Sequence, residues 1–329
     1  MLFDQLKRRD FITLLGGTAV AWPLATRAQE SGRTYRIGFL LPTLRESPAV
    51  VALFDELRLN GFVEGQNMLV VPGGFGVQND QIASVVASLV AVSPDGIISG
   101  PELPLRALQQ ATRTIPLIGM TEDMVAEGLV TSLARPGGNI TGISLLSPEL
   151  DGKRQDILIE AVPGVRKIAV LADSNAPGSS KHLQDLQEAA HGRGIEALVR
   201  SVAKRSDVTS AINDVKSSGA EAINFLATPM FSVNAAEFVE HVTALRLPSI
   251  YQWPENADEG ALIAYGPRFT EMYRQRARIM AKVLRGTKPA DIPIEQPTRF
   301  ELVVNLKTAK AIGHEVPSGL ALRADKVIE

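Results

Sequence analysis

The residues of this chain best suited to chemistry gather in short loops that follow apolar runs of strand length. Pro42-Thr43-Leu44-Arg45-Glu46-Ser47, Ser99-Gly100-Pro101-Glu102 and Met120-Thr121-Glu122-Asp123 lie in the first half, and Asp173-Ser174-Asn175, Thr228-Pro229-Met230 and Tyr251-Gln252-Trp253 in the second. Open parallel sheets bind ligands beyond the carboxyl ends of their strands, so these loops form the candidate site. Hydroxyls, amides, carboxylates and two aromatic rings meet there, a set suited to recognition rather than turnover. Several of the loops lead into helices, whose first-turn N–H groups bind a carboxylate without a lysine. An acidic side chain in an opposite loop would answer an amine.

Other constellations are bland. Gly73-Gly74-Phe75-Gly76 lacks the Gly-Lys-Thr ending of a phosphate loop and reads as a turn after the second strand. His182, His191, His241 and His314 fall in expected helices with no partner at metal-ligand spacing, so no metal site is expected. Cysteine is absent, which excludes disulfides, zinc knuckles, iron-sulfur clusters and thiol catalysis, and no cofactor is expected. An exported α/β hydrolase using Ser99 or Ser174 is the alternative function. Neither serine sits in a Gly-x-Ser-x-Gly elbow, and no histidine occupies a strand-end loop. Asn139-Ile140-Thr141 fits a glycosylation acceptor, but reads better as a turn feeding an interlobe strand.

The elements that must position these loops alternate between strand and helix period. Strands are expected at 35–41, 67–71, 96–99 and 115–119, with helices at 49–59, 81–91 and 103–112. The second half repeats the pattern, with strands at 167–172, 195–199, 222–226 and 249–251 and helices at 182–191, 207–217 and 235–245. Arg36-Ile37-Gly38-Phe39-Leu40 aligns with Lys167-Ile168-Ala169-Val170-Leu171, and Ile115-Pro116-Leu117-Ile118 with Leu247-Pro248-Ser249-Ile250. The offset is nearly constant and far larger than a solenoid repeat, so the repeating unit is a whole lobe. A helix at 269–284 carries an apolar stripe at 269, 273, 277, 280 and 284, with Arg274, Arg276, Arg278 and Lys282 expected as solvated or snorkelling charges.

With 329 residues, 45% of them apolar and 21% charged, the chain has room for two ordinary domains. Its net charge of -2 gives no field that would favour nucleic acid or an anionic membrane. Residues 1–28 read as a signal peptide: Lys7, Arg8 and Arg9 precede an uncharged, mostly apolar run too short to span a bilayer, and Thr26-Arg27-Ala28 supplies a cleavage site. Arg8-Arg9-Asp10-Phe11-Ile12 resembles a twin-arginine export signal, so periplasmic location after cleavage near Ala28 is expected.

From Arg33 to Glu329 the chain resembles the ABC transporter substrate-binding protein family whose characterised relatives bind aromatic amino acids. The resemblance is carried by three phrases, the segments from Ala107 to Pro116 (ALQQATRTIP), from Leu133 to Gly142 (LARPGGNITG) and from Gln296 to Lys310 (QPTRFELVVNLKTAK). It implies an α/β type I periplasmic binding fold, two Rossmann-like lobes with parallel sheets joined by a three-crossing hinge. The lobes would be 34–146 with about 258–288, and 147–257 with about 289–329. The implied function is a monomeric, non-catalytic receptor that closes on a small molecule and delivers it to an ABC permease with its ATPase; nucleic acid is not a partner.

An amino acid or an aromatic or aliphatic carboxylate is the expected solute. Its carboxylate is assigned to the Ser99, Gly100, Pro101, Glu102 turn and to Ser174 and Asn175, and its ammonium to Asp123 or Glu122. Thr43, Thr121 and Thr228 complete the polar lining, and Tyr251 and Trp253 face the side chain. Asp123 has an alternative role as a helix N-cap, and Trp253 as packing beneath the cleft rim. The chain departs from the family pattern at Ser99-Gly100-Pro101 (usually Gly-Thr-Pro), at Thr121-Glu122-Asp123 (usually Ser-Asp-Pro) and at Arg268 (commonly aspartate), positions expected in or near the cleft.

Overall fold

A computed structural model describes residues 33–145, 147–175, 179–232 and 235–329. The expected signal peptide lies outside them. In the first lobe β1 (Tyr35–Leu40), α1 (Pro48–Leu59), β2 (Met68–Val70), α2 (Ile82–Val92), β3 (Gly96–Ser99), α3 (Glu102–Ala111), β4 (Leu117–Thr121) and β5 (Ile140–Ser144) alternate along the chain. The strands pair in parallel in the order β2-β1-β3-β4-β5. Every residue of β3, β4 and β5 is buried, as a parallel sheet covered on both faces requires.

The second lobe repeats the plan. It runs α4 (Ser147–Ala161), β6 (Lys167–Asp173), α5 (Ser179–His191), β7 (Glu196–Val202), α6 (Val208–Ser217), β8 (Ala222–Phe225), α7 (Pro229–Ser232), α8 (Ala235–Ala244), β9 (Ser249–Tyr251), α9 (Pro254–Asp258) and β10 (Ile263–Gly266). Its strand order β7-β6-β8-β9-β10 matches that of the first sheet. After α10 (Phe269–Leu284) the chain adds β11 (Glu301–Asn305), α11 (Leu306–Ile312), α12 (Ser318–Arg323) and β12 (Lys326–Ile328). β11 runs antiparallel to β10, the one departure from parallel pairing among the described strands.

Local chemistry sets the boundaries. Ser47 caps α1 by accepting from Val50 N, and Pro48 starts the helix where its missing N–H costs nothing. β4 begins two residues later than its apolar run suggests. Pro116 has no N–H for the ladder, and Ile115 N is taken by the Thr112 hydroxyl at 3.2 Å. Asn139 is buried and donates to Ile115 O at 2.7 Å, so the Asn-Ile-Thr phrase anchors the start of β5. The glycine-rich segment 73–76 is a turn seated on β1, where Leu41 N donates to Gly74 O at 2.9 Å and Phe75 stacks on Phe39.

Three crossings join the lobes. The first runs from β5 into α4. The second was expected near 258 but lies between Gly266 and Phe269, because Ile263–Gly266 pairs with both β9 and β11 in the second sheet. The third was expected near 289 but follows Glu295: Ile292 and Ile294 are buried in first-lobe cores, and Glu295 exchanges backbone bonds with Gly142 and Ser144. Gly266 suits its place, since a Cβ there would stand 2.0 Å from Gln252 O.

α10 packs along α1 and against the first sheet, burying Met272, Tyr273, Ala277, Met280 and Leu284. Its arginines part ways. Arg274 and Arg278 are half-exposed and pair with Glu271, and Lys282 pairs with Glu295, as solvated charges should. Arg276, expected among them, has no exposed surface at all.

Candidate ligand-binding site

In both sheets the strand order reverses direction between the first and third strands of the lobe, so loops leaving β1 and β3 splay apart, as do those leaving β6 and β8. The two openings face each other across a cleft of about 800 Å³. Leu41, Pro42, Pro101, Glu102, Glu122 and Glu127 line it from the first lobe, and Asp173, Asn175, Lys204, Thr228 and Met230 from the second. Deeper, toward the crossings, lies a chamber of about 60 Å³ lined by Thr43, Gly100, Pro101, Glu122, Gln252, Trp253, Phe269, Tyr273 and Arg276. Pro42, Pro101 and Glu122 line both spaces.

Arg276 dominates the chamber. Its Nη2 donates to Ser99 O at 2.6 Å, and its guanidinium lies 4.9 Å from the Tyr273 ring centroid. Nε and Nη1 are buried with no hydrogen-bond partner among the described residues. Burial pulls the guanidinium below its ordinary value, with the neighbouring Tyr273 opposing the fall, but arginine remains charged in proteins. A buried cation with unanswered donors is costly, and in a chamber it is a ready partner for an anion. Helical spacing aligns it with Phe269 and Tyr273, which cover one wall.

The facing wall is built around Ser232. Its hydroxyl accepts from Gln252 Nε2 and from Trp253 Nε1, each at 3.0 Å, while donating to Thr228 O at 2.9 Å. Gln252 Oε1 is left buried without a partner among the described residues. The Trp253 ring packs on Phe269 with centroids 4.7 Å apart, and Thr43 Oγ1 lies 3.0 Å from Tyr273 Oη. Gly100 contributes open backbone. Its φ of +150° and a Met120 O only 2.5 Å from any Cβ leave no room for a side chain.

Acidic groups gather on the first-lobe side. Glu102 pairs with Arg106 at 2.6 Å, and Arg106 also donates to Glu127 O. The Glu127 carboxyl is raised from 4.5 to about 7, chiefly by burial; the nearby Thr121 side chain and the Asp123 N–H, which donates to Glu127 Oε1 at 3.2 Å, oppose the rise, and the charges of Glu102 and Asp123 add to it.

Thr43, Gly100, Pro101, Glu102, Glu122, Asn175, Thr228 and Trp253 therefore come together as expected. Five candidates do not. Ser99 is fully buried with its hydroxyl donating to Leu40 O at 3.3 Å, and Thr121 is buried behind the lining. Asp123 Oδ1 accepts from Val125 N and Ala126 N, each at 3.0 Å, which makes it the cap of a turn. Ser174 Oγ donates to Val202 O, closing off its own loop. Tyr251 stacks on Phe225 with centroids 4.4 Å apart inside the second-lobe core. Arg268 also leaves the cleft, held by Asp258 at 3.0 Å and Glu301 at 2.7 Å. Alternation explains the three at strand ends, Ser99, Thr121 and Tyr251, because successive strand residues face opposite ways; Asp123 and Ser174 are instead taken up by backbone bonds within their own loops.

Arg276, Ser232, Phe269, Tyr273 and Glu127 are lining and wall residues outside the expected loops, and Gln252 lies in one of those loops but had no contact assigned to it. Phe269, Tyr273 and Arg276 lie on a helix, and their spacing at i, i+4 and i+7 was the available signal. The four histidines remain apart, at Asp151 (His182), Asn213 (His241) and Ala161 O (His314), with His191 exposed. Among the described residues no group of three or more acidic or histidine side chains could hold a metal, and no helix is long and apolar enough to cross a membrane.

Residues 50–328 match the model of the ABC transporter substrate binding protein family, and the chain belongs to that family. A tyrosine-binding protein of Clostridioides difficile is 26% identical over 258 residues, covering 77% of this chain and 72% of the relative. Among solved structures, a conserved domain protein of Vibrio cholerae superposes with a TM-score of 0.79 at 23% identity, over 90% of this chain and all of the other. An ABC domain of Streptococcus pneumonia in complex with L-Trp superposes at 0.74 and 21% identity, over 89% of this chain and all of the other. Identities at this level establish a common fold, that of two-lobed periplasmic binding proteins.

Proposed function

We propose that this ABC substrate-binding protein captures a small zwitterionic or carboxylate-bearing solute with an apolar side chain, an aromatic or aliphatic amino acid foremost, by closing its lobes on it. The observation that carries the reading is Arg276, a fully buried cation with two unanswered donors in an aromatic-walled chamber. The solute carboxylate meets Arg276, not the Ser99–Glu102 turn, where Glu102 already occupies the helix start and would repel an anion. Gln252 Oε1 and Glu122 answer an ammonium from the other sides, and Trp253, Phe269 and Tyr273 hold apolar surface. The tyrosine-binding and L-Trp-complexed relatives support an aromatic side chain.

In this reading the protein is non-catalytic and hands its solute to a permease and its ATPase. A hydrolase finds no support, as Ser99 and Ser174 both donate to backbone oxygens and neither touches a histidine. Periplasmic location rests on the family and on the Arg8-Arg9 leader phrase, and changing both arginines to lysine should keep the precursor inside the cell. Calorimetry of wild type and Arg276→Gln with L-phenylalanine and with its deaminated acid tests the site. Loss of a charged partner in a desolvated cleft costs about 2–5 kcal/mol, so both probes should weaken by thirtyfold or more. Unchanged binding by Arg276→Gln would refute the assignment.

A further inference from the structure

The helix that delivers Arg276 does not cap its own start. The side chain at its N-cap, Arg268, carries no acceptor and is turned away to Asp258 and Glu301. The Arg268 carbonyl accepts from Glu271 N and Met272 N, and the first two N–H groups of the helix are met from another element. Glu255 Oε2 accepts from Phe269 N at 3.2 Å, and its Oε1 accepts from Thr270 N at 3.2 Å and from the Thr270 hydroxyl at 3.1 Å. Bonds from a carboxylate are charge-assisted, and a negative group at this end also meets the positive end of the helix dipole.

The placement of the two partners matters more than the cap itself. Glu255 lies on α9, two residues beyond Trp253, and α9 packs against β10 and β11 of the second sheet. α10 packs along α1 on the first lobe and presents Phe269, Tyr273 and Arg276 to the chamber. One carboxylate therefore ties the segment bearing Trp253 to the helix bearing the cation, across the second crossing. Arg276 is seven residues, about 10 Å, along a rigid helix from the Glu255 bonds. A shift of the helix start moves its guanidinium by a similar amount relative to Trp253.

We infer that Glu255 is a positioning residue for solute capture, fixing the spacing between the Arg276 guanidinium and the Trp253 ring while the lobes turn. The inference rests on the reading of Arg276 as the carboxylate partner. Glu255 touches no solute; it acts through the helix.

The test uses L-phenylalanine as probe and Trp253 as reporter, the one tryptophan beyond residue 28. Glu255→Gln and Glu255→Ala should each weaken L-phenylalanine by about tenfold and shift the emission of the unliganded protein as the Phe269 contact loosens. Glu255→Asp, which keeps the charge, should recover part of both. In an Arg276→Lys background, adding Glu255→Gln should cost less than twofold more, because two residues acting through one contact are not additive. A plain helix cap would lower stability with no change in affinity. Glu255→Gln binding within twofold of wild type, or costing a full tenfold in the Arg276→Lys background, would overturn the inference. If Arg276→Gln itself binds L-phenylalanine normally, the site reading falls first and the Glu255 role with it.

Discussion

Arg276 Nη2 lies 2.6 Å from the carbonyl oxygen of Ser99, 177 residues earlier in the chain. That bond joins the first-lobe strand end to the helix that returns from the second lobe. It places a cation beneath the Gly100-Pro101 turn, where loop chemistry alone offered only backbone N–H groups. The contact satisfies one nitrogen of the guanidinium, and Nε and Nη1 keep no hydrogen-bond partner among the described residues.

Arg276→Met should separate stability from function. Methionine fills comparable space without a buried charge, and replacing buried ionic groups by packed apolar ones is often stabilising, by about 1–4 kcal/mol. Against this stands the lost Ser99 bond, worth about 1.5–3 kcal/mol because its donor is charged. The two effects nearly cancel, so denaturant unfolding should show a variant close to wild type in stability, and calorimetry should show it no longer binding L-phenylalanine. A less stable variant that still binds would contradict the role.

Glu122 and Asp123 should behave oppositely. Glu122 lines both spaces, so Glu122→Gln should weaken an amine-bearing probe by tenfold or more and its deaminated counterpart much less. Asp123 caps the turn at Val125 and Ala126, so Asp123→Ala should cost about 1 kcal/mol of stability with affinity unchanged. Paired titrations of the two variants decide the matter; equal losses of affinity would return Asp123 to the site.

Ser232→Ala should remove the shared acceptor of Gln252 and Trp253. Leaving buried donors without a partner costs about 1–3 kcal/mol, and the indole then has nothing to fix its orientation. The melting temperature should fall and Trp253 emission should change even without solute. An unaltered spectrum would show that packing on Phe269 alone orients the ring.

Glu127 gives a pH signature with a definite sign. Its folded-state value of about 7 exceeds the ordinary 4.5, so the folded protein holds this proton more tightly than the unfolded chain. That contribution is complete below pH 4.5 and disappears as pH rises through 7, amounting to about 2 kcal/mol once water reaching the carboxyl is allowed for. Glu127→Gln should match wild type near pH 4.5 and exceed it near pH 8 in denaturant unfolding. Parallel pH profiles would show that the carboxyl is solvated after all.

Much of the architecture was legible from residue pattern. Strand Gly96–Ser99, strand Ser249–Tyr251 and helix Phe269–Leu284 stand where periodicity put them, because short apolar runs and an i, i+4 stripe reflect local geometry directly. The matching phrases at Ile37 and Ile168 foretold two sheets of like strand order, since each begins its lobe and lies at the reversal of its sheet. β11 and β12 were not foreseen as strands: they complete a sheet begun more than a hundred residues earlier, and nothing local marks them as its edge.

The loops that meet at the cleft follow from sequence as well, because in any open parallel sheet the strand ends and the reversal of order are fixed together. Which side chains enter the cleft is a tertiary matter. Tyr251 and Trp253 are two residues apart, yet Tyr251 stacks in the core on Phe225 while Trp253 leaves the strand and reaches Ser232 and Phe269. Arg276 reads as one of four basic residues along a helix, and only the packing of that helix under Ser99 removes it from water. Burial turns what reads as an ordinary surface charge into a cation with unanswered donors in the chamber wall, and burial depends on what distant segments bring alongside.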